Sequence, residues 1–155
     1  MASTITAAAL TVTITESIEL NGKDQGGTNT LSIGSINEIS KRIVTVTTTE
    51  ATILTFSAAA GQGTYIAANV RYIRFTNLDD TNYIMLTFKD EDNTEFRVKV
   101  DAGQSFIFNG DNSGGLVDTM KANGSGLSSG LADLYDVTAD ADTASCDLEM
   151  LIASV

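Results

Sequence analysis

The sequence contains no histidine, no tryptophan, no proline and a single cysteine. Each absence narrows what the chain can do. Without histidine there is no Ser-His-Asp or Cys-His arrangement and no His-containing zinc site, and one cysteine cannot build a Cys-rich one. Cys146 has no partner for an internal disulfide, so stability owes nothing to a covalent staple, which fits folding in a reducing cytoplasm. No neighbouring cation lowers the pKa of Cys146, so it is expected as a small core or half-buried residue rather than a nucleophile. Proline is missing from a chain otherwise rich in turn signals, and no physical reason for that is evident.

Positive charge is scarce too. Nine Lys and Arg stand against 20 Asp and Glu, a net charge of −11. That field repels phosphate backbones and anionic lipid surfaces, so neither nucleic acid nor membrane is an expected partner. After Lys121 there is no Lys or Arg, while Asp133, Asp136, Asp140, Asp142, Asp147 and Glu149 all follow. The simplest reading is a soluble, self-repelling surface; the functional one is cation binding or docking onto a basic partner. No apolar run approaches the ~20 residues of a membrane span. Residues 1–20 lack Lys and Arg, so no secretory signal is expected, and the Asn123-Gly124-Ser125 acceptor is read as coincidence.

What is present is alternation. Leu10-Thr11-Val12-Thr13-Ile14-Thr15 and Glu95-Phe96-Arg97-Val98-Lys99-Val100 place every second residue on one face, the pattern of half-buried strands. The 21 threonines cluster in such segments, where a β-branched polar residue suits the solvent face. Strands are predicted near residues 10–15, 17–21, 30–33, 42–48, 52–57, 70–76, 82–88, 95–100, 104–109, 134–138 and 147–153. Asn21-Gly22, Asn109-Gly110 and Asn123-Gly124 suit turn positions with φ > 0. Residues 70–109 read as a four-stranded meander, with connections at 78–82, 90–94 and Ala102-Gly103. Helical periodicity is hard to find, and Ala58-Ala59-Ala60 is cut short by Gly61 and Gly63.

The alternation predicts a core. Leu10, Val12 and Ile14 share a face, as do Val44 and Val46, Leu54 and Phe56, and Ile73 and Phe75. Ile84, Leu86 and Phe88 continue the set with Phe96, Val98 and Val100, and Phe106, Phe108, Leu148, Met150 and Ile152 close it. Each buried side chain of this kind contributes roughly 1.5–3 kcal/mol. Residues 22–29 and the Gly-rich stretch 111–130 are read as long loops, a length that in a compact domain marks function or disorder.

Residues capable of chemistry form no specific pattern. Residues 124–130 are Gly-rich but lack the lysine of a phosphate-binding loop. Asp90, Asp92 and Asn93, with Asp79 and Asp80, are hard oxygen donors that could hold calcium, but they miss the EF-hand spacing and are read first as ordinary Asx-rich hairpin turns. Arg71 and Arg74, and Lys41 and Arg42, are read as charges on strand edges that discourage aggregation, or that pair with a neighbouring subunit. No catalytic, cofactor-binding or metal-ligating residue is assigned, and no cofactor is expected.

The stretches Lys41-Arg42-Ile43-Val44-Thr45-Val46, Val70-Arg71-Tyr72-Ile73-Arg74-Phe75-Thr76-Asn77-Leu78-Asp79-Asp80-Thr81-Asn82-Tyr83-Ile84 and Val100-Asp101-Ala102-Gly103-Gln104-Ser105-Phe106 resemble small β-rich virion proteins of tailed bacteriophages. The likeness covers about residues 41–109, is structural rather than catalytic, and leaves out the Gly-rich insert. It implies a capsid decoration, or cement, protein of sandwich or jelly-roll fold that often trimerises, with no active site to carry over. The expectation is therefore an all-β, single-domain chain over residues 1–155: a two-sheet antiparallel sandwich, jelly-roll-like. Residues 1–9 are read as an N-terminal arm or a frayed end, and 111–130 as a long loop. Such a protein, made in the host bacterial cytoplasm, would sit on the capsid surface as a homo-oligomer, a trimer favoured, and bridge major capsid protein subunits. A low-copy tail, neck or fibre component and a carbohydrate-binding sandwich are the alternatives; an enzyme is not expected.

Overall fold

Alternating sequences can form sheets only by finding partners, and here most partners are distant in the chain. The computed structural model describes residues 4–61, 63–121 and 130–155. Among them are thirteen strands and no α-helix: β1 (Ala8–Glu16), β2 (Glu19–Leu20), β3 (Lys23–Asp24), β4 (Gly27–Ile36), β5 (Glu38–Val46), β6 (Ala51–Ser57), β7 (Thr64–Ile66), β8 (Val70–Asn77), β9 (Ile84–Asp90), β10 (Glu95–Val100), β11 (Ser105–Asn109), β12 (Leu134–Ala141) and β13 (Cys146–Ser154).

Two sheets form the body. One has the order β10-β9-β12-β6-β7 and the other β11-β8-β13-β5. Every pairing is antiparallel except the short parallel one of β6 with β7. With β7 set aside, the remaining strands from β5 to β13 nest: β5 pairs with β13, β6 with β12, β8 with β11 and β9 with β10. The chain is thus an all-β antiparallel sandwich. Inner-face residues interleave between the sheets, among them Val46, Ile73, Phe75, Leu148, Met150 and Ile152 from one and Leu54, Phe56, Leu86, Phe88, Val100 and Val137 from the other. This core matches the alternation from residue 44 onward.

The middle of the core is aromatic. The Phe88 ring lies 4.9 Å from Phe96 and 5.5 Å from Phe108, both stacked, 5.4 Å from Phe106, and 5.8 Å edge-on from Phe75. Phe88 and Phe96 belong to one sheet and the other three rings to the opposite sheet, so this contact holds the layers together. Aromatic pairs at such separations add to the burial of their area.

The expected meander over 70–109 does not form. β8 pairs with β11 in one sheet and β9 with β10 in the other, so the connections at 78–83 and 101–104 pass between sheets. Asn77 ties both crossings. Its Nδ2 donates to the carbonyls of Asn82 (2.9 Å) and Val100 (3.2 Å), its Oδ1 accepts the Asp79 amide (3.0 Å), and its own amide donates to Gln104 O (3.0 Å). Only the β9–β10 hairpin through 91–94 has the local form expected.

Three further expectations change. Residues 22–29 are not a loop: Asn21 (φ 53°) and Gly22 (φ 72°) make the two-residue turn of the β2–β3 hairpin, and β4 begins at Gly27. A left-handed pair at such a turn matches the twist of the flanking strands. In the Gly-rich stretch, residues 111–121 are folded onto the body. Leu116 and Met120 are buried, Leu116 N–H donates to Ala67 O (2.8 Å), and Met120 and Ala132 exchange backbone hydrogen bonds of 2.9 Å. Gly115 makes this possible, since a Cβ there would stand 2.4 Å from Ala67 O. Residues 122–129, with Asn123-Gly124, lie outside the described residues. Finally, Leu10 and Val12 leave the inter-sheet core and join Ile33, Ile36, Tyr72 and Ala153 on the outer side of the β8–β13 sheet, while Ile14 is exposed.

Phe88→Ala should cost roughly 3–5 kcal/mol in denaturant unfolding, and Asn77→Ala roughly 1–3 kcal/mol through stranded carbonyls. A Phe88→Ala variant with unchanged midpoint would remove the aromatic junction as the tie between sheets.

Candidate functional site

Residues 8–36 leave the sandwich as a β-ribbon. β1 and β4 pair with each other along their whole length and with no other strand, and the β2–β3 hairpin extends their far end. The register puts Leu10 opposite Ile33, Val12 opposite Leu31 and Ile14 opposite Asn29, so one face is apolar. The other face carries Thr13 opposite Thr30 and Thr15 opposite Thr28, with hydroxyls 3.5 and 3.4 Å apart. A break in register between Ala8 and Leu10, with Ser35 left-handed at φ 61°, marks the ribbon's root. There Leu10, Val12, Leu31 and Ile33 pack on Tyr72, Ile107, Leu151 and Ala153. Farther out, Ile14, Ile18 and Leu20 are exposed. Neither residues 8–15 nor Gly27–Ile36 contains an ionisable side chain, in a chain of net charge −11. The expected N-terminal arm over 1–9 is thus continuous with a larger projecting element; Ile5 is exposed, β1 starts at Ala8, and residues 1–3 lie outside the described residues.

Beside the ribbon, the outer face of β5, β13 and β8 holds a short ion-pair ladder. Glu149 takes Arg74 Nη2 on Oε1 (2.6 Å) and Lys41 Nζ on Oε2 (3.2 Å). The bond from Arg74, then that from Lys41, holds the Glu149 carboxyl below its usual range. Arg74 therefore does not guard an edge, because β8 lies between β11 and β13. Nor does Arg71: it is buried, and its guanidinium donates to Ala68 O (2.6 Å) and Ser113 O (3.5 Å). β5 is an edge strand, but Arg42 turns toward the other sheet and donates to Ile53 O, which leaves Lys41 as its exposed cation.

The hard-oxygen clusters serve turns. The Asp90 carboxylate accepts the amides of Asp92 (3.0 Å) and Thr94 (2.8 Å) and the Thr94 hydroxyl. Asp79 accepts the amides of Thr81 (2.8 Å) and Asn82 (2.6 Å), which lower its pKa. Asp111, bonded by the Ser113 hydroxyl and by the Ser113 and Gly114 amides, is lowered to about 2. Among the described residues no three His, Cys, Asp or Glu side chains gather as metal ligands. Cys146 is buried, its thiol pushed up by burial and then by the Asp79 charge. An open groove of about 500 Å³ lies along Phe56, Ile66, Ala67, Val117, Leu134 and Tyr135. Its two acids, Glu91 and Asp133, accept the Asp133 and Asp118 amides, respectively.

The outer face of the five-stranded sheet shows what sequence reasoning missed. Glu50 accepts the Thr138 hydroxyl and lies 3.6 Å from Arg97, which also bonds Glu95 at 3.0 Å. The Thr138 bond is the main reason the Glu50 carboxyl is lowered. Asp136 is the opposite case: its Oδ1 is buried without a hydrogen bond, and burial raises its pKa despite the pull of Lys89. The ribbon had a legible sign in two charge-free segments flanking a polar turn, whereas the Glu50 pairing joins residues 88 positions apart and left none.

Because Asp136 ionises less readily folded than unfolded, its charge opposes folding at neutral pH, and that penalty fades as pH falls through its folded pKa. Asp136→Asn should raise Tm by a few degrees at pH 7 and lose the advantage in acid, as read by thermal scans across pH; a lower Tm at pH 7 would contradict this account. No family model, no curated protein and no solved structure matches this chain.

Proposed function

We propose that this chain is a structural protein of a tailed-phage particle, a decoration protein that sits on the outer head and bridges major capsid subunits. The observation that carries the reading is the ribbon: a two-stranded extension whose paired segments 8–15 and 27–36 carry no ionisable side chain, apolar on one face and attached to the sandwich. An isolated two-stranded ribbon is marginal in water by itself. A chain that keeps one with exposed isoleucines gains from it when the ribbon is covered, which is the property of an assembling protein. We read the nested strand order as a jelly roll, the fold expected from the resemblance of residues 41–46, 70–84 and 100–106 to phage virion proteins. Those residues form framework here: β5, β8, the crossing after Asn77, and the return into β11.

In this reading the protein is not an enzyme. Each copy makes a modest contact, and an oligomer holding several contacts at once multiplies their effect by raising the effective concentration of the rest. Synthesis in the host cytoplasm suits a fold that needs no disulfide. A sugar-binding sandwich would present aromatic platforms, and Tyr135 is the one well-exposed aromatic residue among those described.

Quantitative mass spectrometry of purified particles of the source virus, against the major capsid protein, tests the proposal. Hundreds of copies per particle are expected. A handful would move the protein to the tail, neck or fibres, and none would remove the virion reading.

A further inference from the structure

The apolar face of the ribbon outruns the body that covers it. At the root, Leu10, Val12, Leu31 and Ile33 pack on the outer face of the β8–β13 sheet. Beyond it, Ile14 is 45% exposed, Ile18 54% and Leu20 60%. The same outer sheet face has an uncovered part of its own, since Ile39 and Ile43 on edge strand β5 are 53% and 58% exposed. The two surfaces also match in charge. The ribbon reads Ile14-Thr15-Glu16-Ser17-Ile18-Glu19, apolar residues interleaved with acids, and the outer face of β5 sets one base, Lys41, between Ile39 and Ile43, Arg42 being turned to the other sheet. Among the described residues Glu16 and Glu19 make no ion pair. Lys41 gives one of its three ammonium protons to Glu149 and is 57% exposed.

We propose that the exposed stripe of the ribbon, Ile14 to Leu20, lies on the outer face of β5 in a second copy of this chain, with Glu16 and Glu19 set against Lys41. The proposal rests on the reading of the chain as an assembling protein and names the partner of its ribbon. Two copies of charge −11 repel each other, so the acids of the stripe are best placed against a base, and Lys41 is the exposed one on β5. The contact joins different surfaces, so each copy gives a ribbon and receives one. Such a head-to-tail contact closes into a ring when the rotation allows.

Sedimentation equilibrium of the full chain over a concentration series tests this. The wild-type chain should form a discrete oligomer. Ile14→Ser with Ile18→Ser should weaken self-association at least tenfold, while circular dichroism and Tm of the sandwich stay near wild type. Lys41→Glu should weaken it too, and adding Glu16→Lys and Glu19→Lys to that variant should restore it, a result that general loss of folding cannot produce. A wild-type chain that stays monomeric throughout, or an oligomer indifferent to these variants, overturns the inference. Particle copy number separates the two readings: a monomer found in hundreds of copies keeps the decoration role and ends the ribbon contact, whereas a ribbon-dependent oligomer absent from particles does the reverse.

Discussion

The structure depends on one contact between layers, the meeting of Phe88 and Phe96 from one sheet with Phe75, Phe106 and Phe108 from the other. These five rings come from strands β8 to β11, the middle of the nested order, where the chain crosses between sheets twice within about thirty residues. A sandwich of short strands has no helix to brace it and, here, no disulfide. Its layers stay together because large side chains exclude water from the space between them, and aromatic rings bury the most area per residue. Asn77 makes that crossing compatible with burial. Where backbone turns from one sheet into the other, carbonyls would be left without partners, and one amide side chain supplies them.

From this junction outward the two sheets end differently. The five-stranded sheet faces outward with an ordered polar layer, in which Glu50, Thr138, Arg97 and Glu95 satisfy one another and Asp136 remains an unfavourable element. The four-stranded sheet is covered in part by the chain's own ribbon, so β8 and β13 are buried on both faces: Tyr72 and Ala153 outside, Ile73 and Ile152 inside. That second layer stops short of β5. The uncovered remainder, Ile39 and Ile43 around Lys41, and the ribbon's overhang are surfaces of the same kind at two ends of one apolar cluster. The proposed self-assembly is argued from that mismatch in length, and the proposed role on a particle from the ribbon as a surface that gains by being covered.

Much of this was legible beforehand. The strands from residue 42 onward, apart from the unforeseen β7, stand within a few residues of their predicted positions, and the inward residues of β6, β9 and β13 are those that alternation marked. The Asn21-Gly22 turn and the 91–94 hairpin are local, so they could be read from local residues. The errors share one cause. A period of two states which residues share a face, and nothing about which strand lies alongside. The stretch 70–109 therefore read as a meander, Arg71 and Arg74 as edge charges, and Leu10 and Val12 as part of the main core. Asp79 and Asp90 cap turns, as the Asx-rich reading favours, but which amides they bond depends on the fold of each loop.

The sequence by itself determined the secondary-structure class, the inward and outward residues of most strands, the acidic surface, and the lack of histidine or paired cysteine chemistry. These follow from side-chain type and from neighbours a few positions away. Tertiary structure alone decided the nesting of β5 with β13 and β6 with β12, the burial of both faces of β8, and the projection of the β1–β4 ribbon beyond its own support. Those depend on contacts such as that of Thr45 with Asp147, 102 residues apart, which form only once the whole chain has closed around its core.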